Sequence, residues 1–214
     1  GGPHAQNITD TYNYGVRGWD LYMAQLGYVM LTVDNRGSSN RGLEFENITH
    51  RQLGVEEMKD QMKGVELLKS LDYVDANRIG VHGWSFGGFN TLMSMSEGRP
   101  VFYAGVAVAP PTSWRYYDTV YTERFMRTPK ENPEGYDCSP ISRAKNLSGS
   151  LLIIHGSADD NVHYRNVAEY TEALVHADKD FRQLTYTNRN HSIYGGNTRN
   201  HLFRQLVNHF KASL

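Results

Sequence analysis

At 214 residues the chain is long enough to bury a full hydrophobic core as one domain. Its net charge of −1, without any cluster of lysine or arginine, excludes the basic face that nucleic acid or an anionic membrane needs. Apolar runs such as 151–154 are far shorter than the roughly 20 residues of a membrane span, so no span is expected in this chain. The single cysteine, Cys138, cannot form an internal disulfide and has no neighbour at metal-ligand spacing. We interpret it as a packing residue and expect neither a metal nor a cofactor.

The first part of the chain alternates helical and strand patterns. Apolar residues at helical spacing predict a helix over 19–26, and the nearly continuous apolar run 28–33 predicts a parallel strand covered on both faces. A covering helix is predicted from residue 55 to about residue 71, because its apolar positions lie on one face. A short apolar strand then begins at about Arg78.

The same alternation continues to the carboxyl end, apart from a polar, aromatic-rich insertion over about 110–147. Further strands are predicted at residues 104–108, 151–154 and 181–187. Val167, Tyr170 and Leu174 mark one more helix, and a terminal helix carries its apolar face from Leu202 to Phe210. Strands that alternate with helices predict an α/β fold with a mostly parallel sheet and helices on both faces.

The stretch Gly83-Trp84-Ser85-Phe86-Gly87 joins a strand to a helix and has the Gly-x-Ser-x-Gly pattern of a nucleophile elbow. In such a turn the serine backbone is strained, and strand and helix approach so closely that we expect glycine to be required at both 83 and 87. Ser85 would then lie at the carboxyl edge of the sheet, where the Phe86 N–H can donate to an oxyanion. The alternative is a glycine-rich turn with an ordinary serine.

A nucleophilic serine needs a base, usually a histidine oriented by a carboxylate, and in this type of fold the chain order is serine, acid, histidine. Asp159 and Asp160 both follow the predicted strand 151–154, and the sequence pattern does not separate them. Four of the nine histidines precede this acid: His4, His50, His82 and His155. Four others lie on helices or too near the acid: His163, His176, His201 and His209. His191, in the loop after the last strand, is the remaining candidate base.

Three stretches, 83–88, 155–162 and 190–192, resemble the prolyl oligopeptidase family of serine peptidases. The likeness covers essentially the whole chain, including Asp34-x-Arg36-Gly37-Ser38 and the insertion 114–124. Within the family the chain resembles the dipeptidyl peptidase branch, and the opening 1–6 is also similar to bacterial prolyl tripeptidyl peptidases.

The resemblance implies an α/β-hydrolase fold and an acyl-enzyme mechanism with Ser85 as nucleophile and His191 as base. It places the acid at Asp159, with Asp160 as its neighbour. It also implies that Asn161 holds a substrate carbonyl through its carboxamide, the alternative being a loop cap.

Trp114, Tyr117, Tyr121 and Phe125 recur at helical spacing, which by default predicts a core stripe. The resemblance instead implies a hydrophobic pocket for a proline ring, with alanine as a weaker alternative. The implied lining residues are Phe86, Trp114, Tyr117, Tyr121, Val162 and Pro111, the last at a position where the family pattern usually has valine.

The implied function is release of dipeptides or tripeptides from the N-terminus of peptides, after a penultimate proline or alanine in the dipeptide case. The resemblance further implies a periplasmic, extracellular or cell-surface location and a possible homodimer. An esterase is an alternative, although esterases commonly carry a His-Gly-Gly-Gly loop and lack the aromatic insertion. A non-catalytic binding module of the same fold is another, and it would require a broken triad.

The family also has an N-terminal β-propeller and additional first strands. We therefore expect 1–214 to be the α/β-hydrolase peptidase domain at the carboxyl end of a longer chain. In the family a tyrosine directly before the turn at Gly1 donates to the oxyanion, and its strand lies between the strand ending at Asp34 and the elbow strand. We expect a gap at that place, and poor turnover by these residues alone.

Overall fold

The computed structural model describes residues 2–5, 8–11 and 18–214. Its sheet has four strands in the order β1-β2-β3-β4, and each neighbouring pair is parallel. The strands are β1 (Gly80–Trp84), β2 (Ala104–Val108), β3 (Ser150–Gly156) and β4 (Arg182–Tyr186). Register runs straight across the carboxyl edge, because Trp84 lies opposite Val108 and Val108 lies opposite Ile154. Loops that leave β1, β3 and β4 therefore meet at one edge of the sheet.

The helices are α1 (Gly18–Gln25), α2 (Leu43–Asn47), α3 (Glu56–Lys69), α4 (Phe86–Met95), α5 (Thr119–Met126), α6 (Pro133–Asp137), α7 (Arg165–His176) and α8 (Thr198–Ser213). Two 3₁₀ turns, Trp114–Tyr116 and Ala144–Asn146, lie within the insertion and at its end. Among the described residues no helix has the length and apolar character needed to cross a membrane.

Helices cover both faces of the sheet, as the sequence predicted. Successive side chains of a strand point to opposite faces. On one face Leu151 and Ile153 of β3 pack with apolar residues of α3, α4 and α7. On the other face Leu152 and Ile154 pack with apolar residues of α1 and α8. A third apolar cluster joins the insertion to α4, and it includes Phe89 and Trp114.

The prediction of a strand over 28–33 was wrong, since the segment forms no ladder with any described strand. The expected cover on both faces is incomplete, because Val29 and Leu31 are exposed, but other side chains of the segment reach both helical layers. Met30 packs with the cluster that includes α8, whereas Val33 Cγ2 lies 3.2 Å from the position a Cβ would take on Gly64 of α3. The apolar pattern of 28–33 therefore indicates that the segment lies between two helical layers. A strand additionally needs a hydrogen-bonded neighbour, and no described residue provides one.

The close approach of β1 and α4 explains why glycine is required at position 83, one of the two positions expected from the sequence. A Cβ on Gly83 would lie 2.2 Å from the carbonyl carbon of Gly87, so no side chain fits there. The expectation for Gly87 itself was wrong, because a Cβ at that position meets nothing within 4 Å. The second crowded position is instead Gly88, where a Cβ would lie 2.9 Å from the Val108 carbonyl oxygen.

This difference makes Gly83 and Gly87 a matched pair for mutation. We expect Gly83→Ala to destabilise the protein by about 3 kcal/mol or more, because the clash is with backbone that cannot rotate away. Gly87→Ala should change the stability by less than about 1 kcal/mol, since its methyl group points into open space at the start of a helix. Thermal unfolding of the two purified variants tests this, and equal shifts of Tm would contradict the crossing described here.

Candidate active site

Ser85 occupies the turn between β1 and α4 with φ 57° and ψ −119°, a conformation that costs a non-glycine residue about 1–3 kcal/mol. Two hydrogen bonds hold it there. The Ser85 N–H donates to the Val108 carbonyl at 2.8 Å, and the Ser85 carbonyl accepts from the Phe89 N–H at 3.0 Å. The first bond attaches the turn to β2 and the second to α4, so the strained residue is fixed from both sides.

Asp159 follows β3 and contacts the imidazole of His191, which follows β4. Asp159 Oδ2 lies 2.8 Å from His191 Nδ1, while Asp159 Oδ1 accepts from the backbone N–H groups of Asn161 at 2.9 Å and Val162 at 2.8 Å. Asp160 is exposed, and its carboxylate reaches only the backbone N–H of His191, at 3.5 Å. The structure thus brings Asp159, rather than Asp160, to the histidine side chain.

The Asp159 carboxylate is ionised although its side chain is fully buried. Burial by itself raises the pKa of a carboxyl group. At Asp159 the hydrogen bonds from His155 and His191 and from the Asn161 N–H outweigh burial and hold the pKa well below its usual range. The charge is therefore available to orient the His191 ring and to stabilise an imidazolium.

The loop that carries His191 is attached to both neighbouring strands. At the end of β3, a Cβ on Gly156 would lie 2.2 Å from the Arg189 carbonyl oxygen, so the loop backbone rests directly on the strand. From β1, the indole N–H of Trp84 donates to the His191 carbonyl at 3.0 Å. The guanidinium of Arg199 lies 4.7 Å above the Trp84 ring and packs this indole in place. The residue before Ser85 thus holds the backbone of His191.

No hydrogen bond joins Ser85 Oγ to His191 Nε2 in the part of the chain that the structure describes. Such bonds are often long without substrate and tighten when it binds. Phe86 is the first residue of α4. The backbone N–H groups of this first turn have no intrahelical acceptor and form the positive end of the helix dipole. The Phe86 N–H belongs to the residue directly after Ser85, and its role as an oxyanion donor stays a prediction.

The aromatic residues of the insertion form one cluster with Phe86. The Trp114 ring is centred 5.6 Å from Phe86, 5.9 Å from Tyr117 and 6.0 Å from Tyr121. Trp114 is only 2% exposed, whereas Phe86, Tyr117 and Tyr121 are half-buried. The expected core stripe and the expected pocket therefore share these residues, with Trp114 as a buried base and three half-exposed rings around it. Pro111 and Val162 are buried as well.

The spacing of this stripe does not come from one helix. Trp114 begins a 3₁₀ turn, Tyr117 has extended backbone with φ −108° and ψ 164°, and Tyr121 lies on α5. The Tyr117 hydroxyl donates to Asn161 Oδ1 at 2.6 Å. Because this bond occupies the amide oxygen, it leaves the Asn161 Nδ2 as the donor side of the carboxamide. Tyr117 therefore belongs to the ring cluster and also orients Asn161.

A comparison with known families matches residues 14–214 to the "Prolyl oligopeptidase family". The chain belongs to the prolyl oligopeptidase family. The resemblance proposed from the sequence is confirmed, and the α/β-hydrolase fold with it.

Among solved structures, the dipeptidyl peptidase 4 of Porphyromonas gingivalis superposes with a TM-score of 0.96 at 50% identity, covering 100% of this chain and 30% of that one. Among curated proteins, prolyl endopeptidase FAP of Mus musculus is 38% identical over 99% of this chain. Dipeptidyl peptidase 4 of Felis catus is 39% identical over 90% of it. The chain spans only 28% and 26% of the length of these two curated relatives.

The sequence analysis did not predict two contacts of the site, one made by His155 and one made by Trp84. His155 was set aside because it precedes the acid, yet its Nε2 lies 3.2 Å from Asp159 Oδ2. Trp84 was treated only as a variable position of the elbow pattern, yet it bonds the loop of His191. The one available signal was position, since both side chains occur at the carboxyl ends of strands.

The geometry predicts different effects at the two aspartates. Asp159→Asn should lower kcat about 10⁴-fold, as loss of the triad acid does where the imidazole tautomer is no longer fixed. Asp160→Asn should cost far less, because its carboxylate does not contact the ring. Steady-state kinetics of both variants in the full-length protein test the difference. A reversal of the two effects would make Asp160 the acid.

Proposed function

We propose that this chain is the catalytic domain of a serine exopeptidase that releases dipeptides from the N-terminus of peptides, after proline. The observation that carries the proposal is the buried Asp159–His191 pair at the same sheet edge as the strained Ser85 turn, beside the aromatic cluster. The names of the relatives, among them dipeptidyl peptidase 4, support release of dipeptides. Release of tripeptides is the alternative that the experiment below separates.

In the proposed mechanism Ser85 Oγ attacks the carbonyl carbon of the scissile bond while His191 Nε2 accepts its proton. Asp159 keeps the Nδ1 proton in place and stabilises the imidazolium that forms. The Phe86 N–H donates to the developing oxyanion, which is more strongly charged in the transition state than the carbonyl is in the substrate. His191 then gives the proton to the leaving amine, which leaves an acyl-enzyme on Ser85. Water next attacks the acyl carbon while His191 accepts its proton, and His191 returns that proton to Ser85 Oγ as the ester bond breaks.

Selectivity for proline is assigned to the half-exposed rings of Phe86, Tyr117 and Tyr121, with Trp114 beneath them. Flat aromatic faces fit a pyrrolidine ring, and an apolar pocket discriminates by about 10- to 200-fold per methylene. Alanine is then a weaker substrate residue. Asn161 Nδ2, left as a donor by the bond from Tyr117, is proposed to hold the carbonyl of the preceding substrate residue. Pro111 and Val162 are proposed to complete the floor of the pocket.

The esterase and binding-module alternatives have less support. A binding module does not need an ionised carboxylate in a buried position against a histidine, and an esterase does not need the ring cluster. We also propose that these residues form the peptidase domain of a longer protein, since they span 30% of the Porphyromonas gingivalis chain. A periplasmic or cell-surface location and a homodimer remain predictions from the family resemblance.

The decisive experiment uses the full-length protein with a Gly-Pro chromogenic amide, an N-terminally free Ala-Ala-Pro amide and a simple ester. We expect fast release from the first substrate and slow release from the other two. Fast cleavage of the Ala-Ala-Pro amide alone would assign a tripeptidyl peptidase, and preference for the ester would assign an esterase.

Ser85→Ala is the control for the chemistry. It should abolish covalent labelling by a fluorophosphonate, because only a base-activated serine attacks phosphorus quickly. Thr91→Val, which removes a buried α4 hydroxyl that donates to the Gly87 carbonyl, serves as the control hydroxyl deletion and should retain labelling. Undiminished labelling of the Ser85 variant would contradict the proposed nucleophile.

Two variants of Tyr117 separate its ring from its hydroxyl. Tyr117→Ala should remove a pocket wall and reduce the ratio of kcat/KM for Gly-Pro over Gly-Ala amides by about tenfold or more. Tyr117→Phe should keep that ratio and raise KM for both amides, because only the bond to Asn161 is lost. An unchanged ratio in the alanine variant would mean that this ring serves the core alone.

A further inference from the structure

His155 lies at the end of β3, is fully buried, and directs one ring nitrogen at two acceptors. Its Nε2 is 2.8 Å from the Val162 carbonyl oxygen and 3.2 Å from Asp159 Oδ2. The Val162 carbonyl oxygen can only accept a hydrogen bond, so the Nε2 atom at 2.8 Å must be the donor. The hydrogen therefore lies on Nε2, which donates to the Val162 carbonyl and lies 3.2 Å from Asp159 Oδ2.

The other nitrogen of the same ring has a different environment. His155 Nδ1 is buried and has no hydrogen-bond partner among the described residues. A proton there would leave a buried donor unpaired on a charged ring, which is far more costly than leaving a neutral acceptor unpaired. All polar contacts of His155 among the described residues are therefore made through Nε2.

His155 Nε2 completes the set of contacts around Asp159. Oδ1 accepts from the backbone N–H groups of Asn161 and Val162, while Oδ2 accepts from His191 Nδ1 and lies 3.2 Å from His155 Nε2. With two nitrogen atoms beside each oxygen, the carboxyl plane has no alternative orientation of equal energy. The edge of the Tyr164 ring, 5.7 Å from His155 between ring centres, keeps the histidine in position.

We propose that His155 is a positioning residue for the reaction: its Nε2–H holds Asp159 Oδ2 in line with His191 Nδ1. The proposal rests on the proposed function, because it takes Asp159 as the acid of the triad. His155 itself touches neither substrate nor the reacting atoms. The same N–H bonds the Val162 carbonyl, so one donor closes the loop from Gly156 to Val162 and orients the carboxylate within it.

Removal of this donor has two consequences. The carboxylate gains freedom to turn away from His191, which lowers kcat without changing the substrate pocket. A carboxylate that has turned away also stabilises the His191 imidazolium less, so the imidazole becomes less basic. A histidine that only fills space in the core would produce neither change, although its replacement would still affect stability.

The test compares His155→Leu with His155→Gln in the full-length protein, using the Gly-Pro amide across the acid limb of the pH profile. Leucine has no donor, whereas the amide nitrogen of glutamine reaches about as far as Nε2. Because a hydrogen bond to a charged group is worth about 10- to 100-fold, kcat of the leucine variant should fall by that factor with KM within about threefold. The acid limb of its kcat/KM profile should move to lower pH, because the misaligned carboxylate stabilises the imidazolium less. Glutamine should return kcat to within about threefold and restore the limb.

Three outcomes would overturn the inference. One is equal kcat for the leucine variant and the unmodified protein. Another is a lower Tm of the leucine variant with kcat and the acid limb unchanged, because His155 would then have only a packing role. The third is a glutamine variant as impaired as the leucine variant. If leucine prevents folding, His155→Asn replaces it, because its shorter amide keeps polarity and does not reach Asp159.

The controls keep this inference apart from the proposed function. If Ser85→Ala and Asp159→Asn both retain full activity, the proposed mechanism fails and this inference fails with it. If those two variants are inactive while His155→Leu is unimpaired, only the role of His155 is wrong.

Discussion

The backbone contact between β1 and α4 at Gly83 is the constraint from which the site is built. Since no side chain fits at this crossing, the chain must turn from strand to helix within a single residue, and Ser85 takes the strained conformation. The same turn sets the direction of α4, so Phe86 begins the helix with its N–H beside the serine. Phe89, one turn further on, packs at 4.9 Å between ring centres against Trp114. The aromatic insertion is thereby anchored to the helix that the crossing orients.

A second constraint is the cost of keeping a carboxylate charged out of contact with water. Asp159 is buried at a strand end, and its charge persists because two backbone N–H groups and His191 donate to it and His155 Nε2 lies 3.2 Å away. These groups come from the loop after β3, from β3 itself and from the loop after β4. Parallel neighbours with aligned ends are what bring them together, so the electrostatics of the site depend directly on the register of the sheet.

Much of this arrangement could be predicted from the sequence. Periodicity located most helices and strands, and strand 104–108 was predicted with the bounds that the structure gives. Chain order and strand ends brought Ser85, His191 and a pair of aspartates into consideration. Periodicity failed at 28–33, because an apolar run reports which layers a segment touches and not whether a neighbour bonds its backbone.

Contacts between distant side chains were the other limit of sequence reasoning. The bond from Tyr117 to Asn161 joins residues 44 apart, and that from Trp84 to His191 joins residues 107 apart. No local pattern encodes such a bond. His155 was excluded as a candidate catalytic base because it precedes the acid in the sequence. That criterion does not consider histidines that contact the acid itself. At Gly87 the family of Gly-x-Ser-x-Gly turns suggested crowding that this backbone places at Gly83 and Gly88 instead.

The Tyr117–Asn161 bond has a consequence for anyone who wishes to redesign the specificity of this site. The ring proposed to wall the pocket and the hydroxyl that bonds the Asn161 carboxamide belong to one side chain. A substitution that enlarges the pocket for a bulkier residue also releases the amide, whose oxygen and nitrogen can then exchange places. Widened specificity and weakened capture of the substrate backbone would therefore arrive together. A successful redesign has to supply a second, independent acceptor or donor for Asn161 before the wall is moved.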